Sequence, residues 1–153
     1  MYKILTTLFL VFCVASAKAQ PQWFKIKPLE GFFLDSKVPL KKGLNFFVIR
    51  DRKKFISWFG QINKPDTPNF DYDNVVVMAL PASKKYSQIG FYPNAAKAGN
   101  YIEVYCAIDK NQFELTYTAY PIVVATIPKY FSVTKVNFYD AEDKKLLASV
   151  PIR

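Results

Sequence analysis

The residues of this chain best suited to chemistry are Asp71 and Asp73, in the stretch Asn-Phe-Asp-Tyr-Asp-Asn just before an apolar run. In a strand, side chains two residues apart point the same way and lie about 6 to 7 Å apart, so the pair could hold a cation or share a proton. The turn glycine and closing glutamate of a calcium loop do not follow them. Because aspartate and asparagine often end loops by bonding to nearby backbone amides, we expect the start of a strand here rather than a site.

Two features of the composition exclude common catalytic classes. The chain has no histidine, so imidazole-dependent triads and the usual zinc sites are excluded. Cys106 is the one cysteine outside the N-terminal leader and lies on the apolar face of a predicted strand, which favours a buried, inert thiol. We therefore expect no enzyme activity, no cofactor and no metal; carboxylate chemistry at the aspartate pair is the remaining catalytic alternative.

The first 19 residues follow the plan of a secretory signal peptide. A basic start at Lys3 precedes a short apolar stretch, and Ala17-Lys18-Ala19 is a small-x-small cleavage signal. The apolar stretch is shorter than the roughly 20 residues of a membrane-spanning helix, which disfavours an anchor. We expect cleavage near Ala19 and export to the periplasm or the medium, with 20–153 as a single domain that has no transmembrane segment.

The first half of that domain contains one convincing helix. Residues 20–44 carry too many prolines and glycines for a helix and predict an extended segment, followed by a strand at 45–50. Asp51 is a good N-cap for a helix over 52–62. The apolar residues at helical spacing there are Phe55, Trp58, Phe59 and Ile62. The run 75–80 is apolar throughout, as in a strand buried on both faces.

Alternation predicts a hairpin in the second half, after a short strand at 87–92 and a turn at 97–100. Segments 101–108 and 113–119 each place apolar residues at every second position. A two-residue loop at Lys110-Asn111, or a four-residue loop that preserves the register, aligns them on one face. The predicted pairs are Ile108 with Phe113, Cys106 with Leu115, Val104 with Tyr117 and Ile102 with Ala119.

A second hairpin is predicted at the end of the chain, with a three-residue loop at 141–143 and Pro151 on an edge strand. Its predicted register sets Thr134, Val136 and Phe138 opposite Val150, Ala148 and Leu146. The fold class is therefore α+β: a mainly antiparallel twisted sheet, or a partly rolled β-sandwich, with one packed helix at 52–62.

The polar face of the first predicted hairpin is the strongest candidate for a contact surface. It carries Tyr101, Glu103, Tyr105, Thr116, Thr118 and Tyr120. Tyrosine among polar residues is typical of interfaces, although the helix or the N-terminal segment could equally cover this face.

Positive charge suggests a second mode of contact. The net charge is +9, and Lys84-Lys85-Tyr86 between two strands could hold an anion or a partner, or form a solvated turn. The lysines are otherwise scattered and no nucleic-acid motif is present, which argues against a nucleic-acid target and leaves weak attraction to anionic lipid or polysaccharide as an alternative.

Several stretches within 45–129 resemble the C-terminal domain of the PrcB-type protease complex subunit family. They are FFVIRDRKKFISWFG, NFDYDNVVVMAL, the Gly90-Phe91 step and PIVVATIPK. The resemblance implies an exported, non-enzymatic domain that binds and stabilises, or restrains, a partner such as a surface protease. It also implies a structural place for Asp71 and Asp73 at the start of a strand.

These observations predict an exported, non-catalytic protein-binding domain. The residues expected to contact the partner are Tyr101, Tyr105, Tyr120, Lys84, Lys85 and Tyr86. The alternative is a binder of anionic envelope glycan or lipid that uses Lys84, Lys85 and neighbouring tyrosines.

Overall fold

The computed structural model describes residues 20–61 and 65–152, which form ten strands and one helix. The predicted signal peptide, 1–19, lies outside the described residues. In chain order the elements are β1 Gln22–Lys25, β2 Lys27–Pro28, β3 Asn45–Ile49, α1 Arg52–Phe59, β4 Asp73–Ala79, β5 Gly90–Phe91, β6 Asn94–Ala98, β7 Tyr101–Ala107, β8 Ile122–Pro128, β9 Lys135–Asp140 and β10 Leu146–Pro151.

The strands form two sheets. Sheet A has the order β1-β6-β7-β9-β10, with β5 also paired to β7, and sheet B has the order β2-β8-β4-β3. Every strand pair is antiparallel except β7 with β9, which is parallel. The predicted α+β class, with a sandwich-like arrangement and a packed helix, is confirmed. No helix in the described part of the chain is long and apolar enough to cross a membrane.

Strand β4 is apolar at every position because both of its faces are covered. Val76 and Met78 belong to the core that also contains Ile102 and Val104 of sheet A. On the other face, Val75 and Val77 pack in a second core with the helix residues Phe55 and Phe59. The prediction of a strand buried on both faces is confirmed, and it places β4 in the middle layer of three.

Helix α1 begins where the sequence predicts and ends earlier. The Asp51 side chain accepts a hydrogen bond from the Lys54 N–H at 2.8 Å, which confirms the N-cap. The helix ends at Phe59 because Gly60 adopts a φ of 78°, which glycine tolerates better than other residues. The predicted end at Ile62 lies outside the described residues.

The predicted hairpin of 101–108 with 113–119 is wrong, because only its first strand forms. Strand β7 forms and buries Ile102, Val104 and Cys106 as expected, but 113–119 is not a strand. The antiparallel partner of β7 is the preceding segment: β6 pairs with its first half and β5 with its end.

The reason is the tight turn at Gly99-Asn100, where Gly99 has a φ of 59° and folds β6 directly back on β7. The predicted strand at 87–92 shrinks to β5, and Pro93, which has no N–H to donate, separates β5 from β6. Apart from an isolated bridge between Ala119 and Ser83, the alternating residues of 113–119 have no strand partner and stay in a loop, where Phe113 is 83% exposed.

The C-terminal hairpin is confirmed, with a different register. Val136 lies opposite Val150 and Phe138 opposite Ala148, a displacement of two residues from the predicted pairs. This displacement keeps Ala148 and Val150 on their predicted face, but Leu146 lies opposite Tyr139 on the other face and is 49% exposed. An irregularity between Leu146 and Ala148 accommodates the longer turn, and Pro151 ends the edge strand as predicted.

The extended N-terminal segment connects the two sheets. Strand β1 pairs with β6 in sheet A, and β2, which follows after Ile26, pairs with β8 in sheet B. Farther along, Leu29 and Phe32 enter the core beneath the helix. The segment predicted as 20–44 is therefore a strap that contacts all three layers.

Candidate functional site

The outer face of sheet A, which points away from the second sheet, carries the predicted tyrosines of β7. Because Ile102, Val104 and Cys106 face the core, alternation turns Tyr101, Glu103 and Tyr105 outward. The helix packs on sheet B, so it does not cover this face. The N-terminal segment does not cover it either, since β1 joins its edge.

The parallel neighbour β9 extends the outer face. Lys135, Asn137 and Tyr139 lie opposite Tyr101, Glu103 and Tyr105, respectively. At the edge of the sheet, β1 contributes Trp23, which is 59% exposed. The outer face is thus built from strands far apart in the sequence.

Three rings form a row across the strands. The rings of Trp23 and Tyr105 stack with their centroids 6.5 Å apart and their planes at 17°. The ring centroids of Tyr105 and Tyr139 are 5.9 Å apart. We refer to Trp23, Tyr105 and Tyr139 as the aromatic row. The rings hold one another in place, which presents an ordered aromatic surface to solvent.

Polar groups fix the centre of the aromatic row. The Tyr105 hydroxyl donates to Glu103 Oε2 at 3.0 Å, and Lys144 Nζ lies 4.8 Å from the centre of the Tyr105 ring. Burial, followed by the hydrogen bond to Glu103, raises the pKa of Tyr105 from 10.0 to about 12. The phenol therefore stays protonated and acts as a donor at physiological pH.

Beside the row, the polar side chains of the outer face also pair with one another. Ser149 Oγ donates to Asn137 Oδ1 at 2.8 Å, and Lys135 Nζ lies 5.7 Å from the centre of the Tyr101 ring. Asn137 is only 7% exposed, so its amide is part of the structure of the sheet rather than a free contact group. The outer face is therefore aromatic along the row, with a polar rim.

The structure separates the predicted contact residues into three places. Tyr101 and Tyr105 lie on the outer face of sheet A, as predicted. Thr116, Thr118 and Tyr120 are not on this face, because 113–119 does not pair with β7. Tyr120 is 72% exposed at one end of sheet B.

Lys84, Lys85 and Tyr86 form a turn that anchors the 108–119 loop. Ser83 Oγ accepts from the N–H groups of Lys85 and Tyr86, both at 3.1 Å. The Lys84 and Lys85 carbonyls accept from the N–H groups of Leu115 and Asn111 at 2.7 and 2.9 Å. The backbone groups of this turn are thus hydrogen-bonded within the protein, whereas the side chains of Lys84 and Lys85 are exposed.

The sequence pattern did not identify Trp23 and Tyr139 as contact residues, for different reasons. Trp23 lies in a four-residue strand whose pairing partner is distant in the chain. Tyr139 ends the alternating polar set Lys135, Asn137 and Tyr139, a signal that was present in the sequence. This alternation shows that Tyr139 faces outward, but only the pairing of β9 with β7 places it beside Tyr105.

Asp71 and Asp73 have the contacts of a loop that ends at a strand. The Asp71 N–H donates to Asn69 Oδ1 at 3.1 Å, and the Asp73 N–H donates to the Asn69 carbonyl at 2.8 Å. Asp73 is the first residue of β4, while Asp71 is exposed in the preceding turn. Across 20–61 and 65–152, no three His, Cys, Asp or Glu side chains lie close enough to hold a metal ion.

Cys106 is fully buried between the sheets, as its place in the alternation predicts. Burial, and then the negative charge of Asp140, raise the pKa of Cys106 from 9.0 to about 12. The reactive thiolate is therefore suppressed as well as inaccessible.

Comparison with known proteins yields no match: no family model, no curated protein and no solved structure is similar to this chain.

Proposed function

We propose that this protein is an exported, non-catalytic binding domain that holds a partner protein against the outer face of sheet A and stabilises or inhibits it. The observation that carries the proposal is the aromatic row on a sheet face that the helix and the N-terminal strap leave open. The two hydrophobic cores of the domain are built from other residues, so this open sheet face is available for binding.

A protein partner suits the chemistry of this surface. Tryptophan and tyrosine are enriched at protein interfaces and dominate their binding energy. The rings of the aromatic row already contact one another, so binding would immobilise few additional rotamers. Glu103, Lys135 and Lys144 add charges of both signs around the row, which favours a polar partner surface over bare lipid.

Two sequence features support the export of this domain and the class of its partner. The basic, apolar and small-x-small pattern of residues 1–19 supports export. The resemblance to the PrcB-type protease complex subunit family supports a partner such as a surface protease. The lack of histidine in the whole chain supports a role without acid/base catalysis by imidazole.

The proposal is tested by cross-linking pull-down from envelope extract with the tagged mature chain and two variants. The test variant, Trp23→Ser with Tyr139→Ser, removes both ends of the aromatic row. The control, Phe131→Ser, removes an aromatic side chain that is 106% exposed and lies outside the row. We expect one protein in stoichiometric amount with the wild type and the control, and about tenfold less with the double variant, the equivalent of 1.4 kcal/mol. Recovery of no such protein, or equal recovery by all three, would contradict the proposal.

A further inference from the structure

An apolar groove lies at one end of sheet B, away from the aromatic row. It has a volume of about 410 Å³ and forms where β4 ends and β8 begins. Its apolar lining includes Leu34, Val38, Leu40, Leu80, Pro121 and Ile122. Phe33 and Tyr120, which also line it, are 75% and 72% exposed, so two aromatic rings stand beside an unfilled apolar space.

Backbone bonds hold the walls of the groove in place. The Leu80 N–H donates to the Pro121 carbonyl at 2.9 Å, which ties the chain after β4 to the chain before β8. On the opposite wall, the Asp35 N–H donates to the Trp58 carbonyl at 2.7 Å, and the Val38 N–H donates to the Asp35 carbonyl at 3.0 Å. The groove is therefore preformed, as small-molecule sites usually are.

The next turn of this wall is fixed in the same way. Asn45 is 7% exposed; its Oδ1 accepts from the Lys41 N–H and its Nδ2 donates to the Lys41 carbonyl, both at 2.8 Å. These bonds lock the backbone that follows Leu40 and leave the Lys41 ammonium group exposed.

Positive charge borders the groove. Lys37 and Lys41 directly adjoin lining residues in the chain and are exposed. Three more exposed lysines follow within two or three residues of the lining, at Lys42, Lys84 and Lys85. Asp35 is the one carboxylate among the lining residues, and its Oδ1 already accepts from the Lys37 N–H at 2.8 Å. Glu114 lies on the loop that Lys84 anchors, yet none of these lysines forms an ion pair within the described residues.

We propose that this groove binds the acyl chain of a single free fatty acid, with the carboxylate held among the bordering lysines. The apolar lining provides the affinity through buried hydrocarbon. The lysines select an anionic head group at a range that salt screens. The volume is near the lower end for small-molecule sites, which suits one chain and not a two-chain lipid.

Calorimetric titration with monomeric dodecanoate, below its micelle concentration, tests the ligand class. We expect saturable binding of one molecule per chain that weakens severalfold as salt rises. Dodecyltrimethylammonium has the same chain with a positive head and should bind severalfold more weakly, and butanoate should give no measurable heat. Equal binding of the two head groups, or binding to anionic vesicles without binding of the monomer, would overturn the proposal.

Variants locate the bound molecule. Phe33→Ser with Tyr120→Ser should weaken dodecanoate binding about tenfold. Tyr72→Ser with Phe131→Ser, which removes two exposed aromatic residues outside the groove, should not change it. Lys37→Gln with Lys85→Gln should weaken binding and flatten its dependence on salt, whereas Lys53→Gln with Lys145→Gln should do neither.

A second measurement needs no variant. In the wild-type protein, dodecanoate should shift the methyl resonances of Leu80 and Ile122 more than those of Ile102 and Val104. Shifts confined to the latter pair, or equal effects of the test and control variants, would overturn the proposal.

Discussion

The indole ring of Trp23 stacks on the phenol ring of Tyr105 with centroids 6.5 Å apart, although β6 separates their strands in sheet A. The intervening residue opposite Trp23 is Ala96, whose methyl group leaves room for the two larger rings to meet above it. A small residue in the middle strand is thus what makes the aromatic row continuous.

Replacing the central tyrosine of the row tests its hydrogen bond. Tyr105→Phe removes the donor to Glu103 and should lower the free energy of unfolding by about 0.5 to 1.5 kcal/mol. Urea denaturation measures this change. Tyr72→Phe, at a tyrosine that is 73% exposed, is the matched control and should leave the midpoint unchanged. If the two variants have equal stability, the bond makes no net contribution.

The stability of the fold should decrease at alkaline pH. Folding raises the pKa of Tyr105 from 10.0 to about 12 and that of Cys106 from 9.0 to about 12. The unfolded chain loses these protons first, so the stabilisation is complete below pH 9 and is lost as pH rises from there to about 12. Urea unfolding across this range should show the decrease.

Two variants assign this decrease, because other tyrosines and the lysines also titrate there. The slope should be shallower in Tyr105→Phe and in Cys106→Ala than in the wild type. A wild-type slope retained by both variants would attribute the effect to other groups.

The turn between β6 and β7 can be tested with a pair of glycine substitutions. Gly99 has a φ of 59°, so Gly99→Ala should destabilise the protein by about 1 to 2 kcal/mol even though a Cβ there meets nothing within 4 Å. At Gly90 an added Cβ lies 3.9 Å from the Ala107 Cβ, an ordinary contact, so Gly90→Ala should change stability by less than about 0.5 kcal/mol. Thermal unfolding of both variants decides this point, and equal effects would argue against the β6–β7 turn.

The core between the sheets should depend strongly on Phe138. This ring is fully buried, and its centroid lies 4.8 Å from that of Phe46 and 6.2 Å from that of Phe91. Because Phe46 belongs to sheet B and Phe91 to sheet A, Phe138 packs against both sheets. Phe138→Ala should cost about 3 to 5 kcal/mol in chemical denaturation. Phe131→Ala, at a ring in full contact with solvent, is the size-matched control and should cost less than about 0.5 kcal/mol.

Sequence patterns predicted the elements whose environment is imposed locally. The unbroken apolar run of β4 indicated two covered faces, and Asp51 marked the start of α1. The alternation in β7 indicated which side chains face the core. Each of these signals depends only on residues within the element itself.

Pairing partners were harder to predict, because alternation specifies a face and not a neighbour. The segment containing Phe113 and Tyr117 alternates as well as β7 does, yet it remains a loop with both rings exposed. The parallel pairing of β7 with β9 brings Tyr139 to Tyr105 from a later part of the chain. Of the aromatic row, the sequence pattern revealed only Tyr105, and Trp23 and Tyr139 depended on the topology of the sheet.

The N-terminal strap also has a consequence for the order of folding. Gln22 pairs with Lys97 and Lys27 with Thr126, so both ladders of the strap await strands made much later in synthesis. The strap can dock only after its partner strands have formed, and its ladders are short, with four residues in β1 and two in β2. Its amides should be the first of the strand amides to exchange with deuterium, and Trp23 would then leave the aromatic row while the rest of both sheets stays closed.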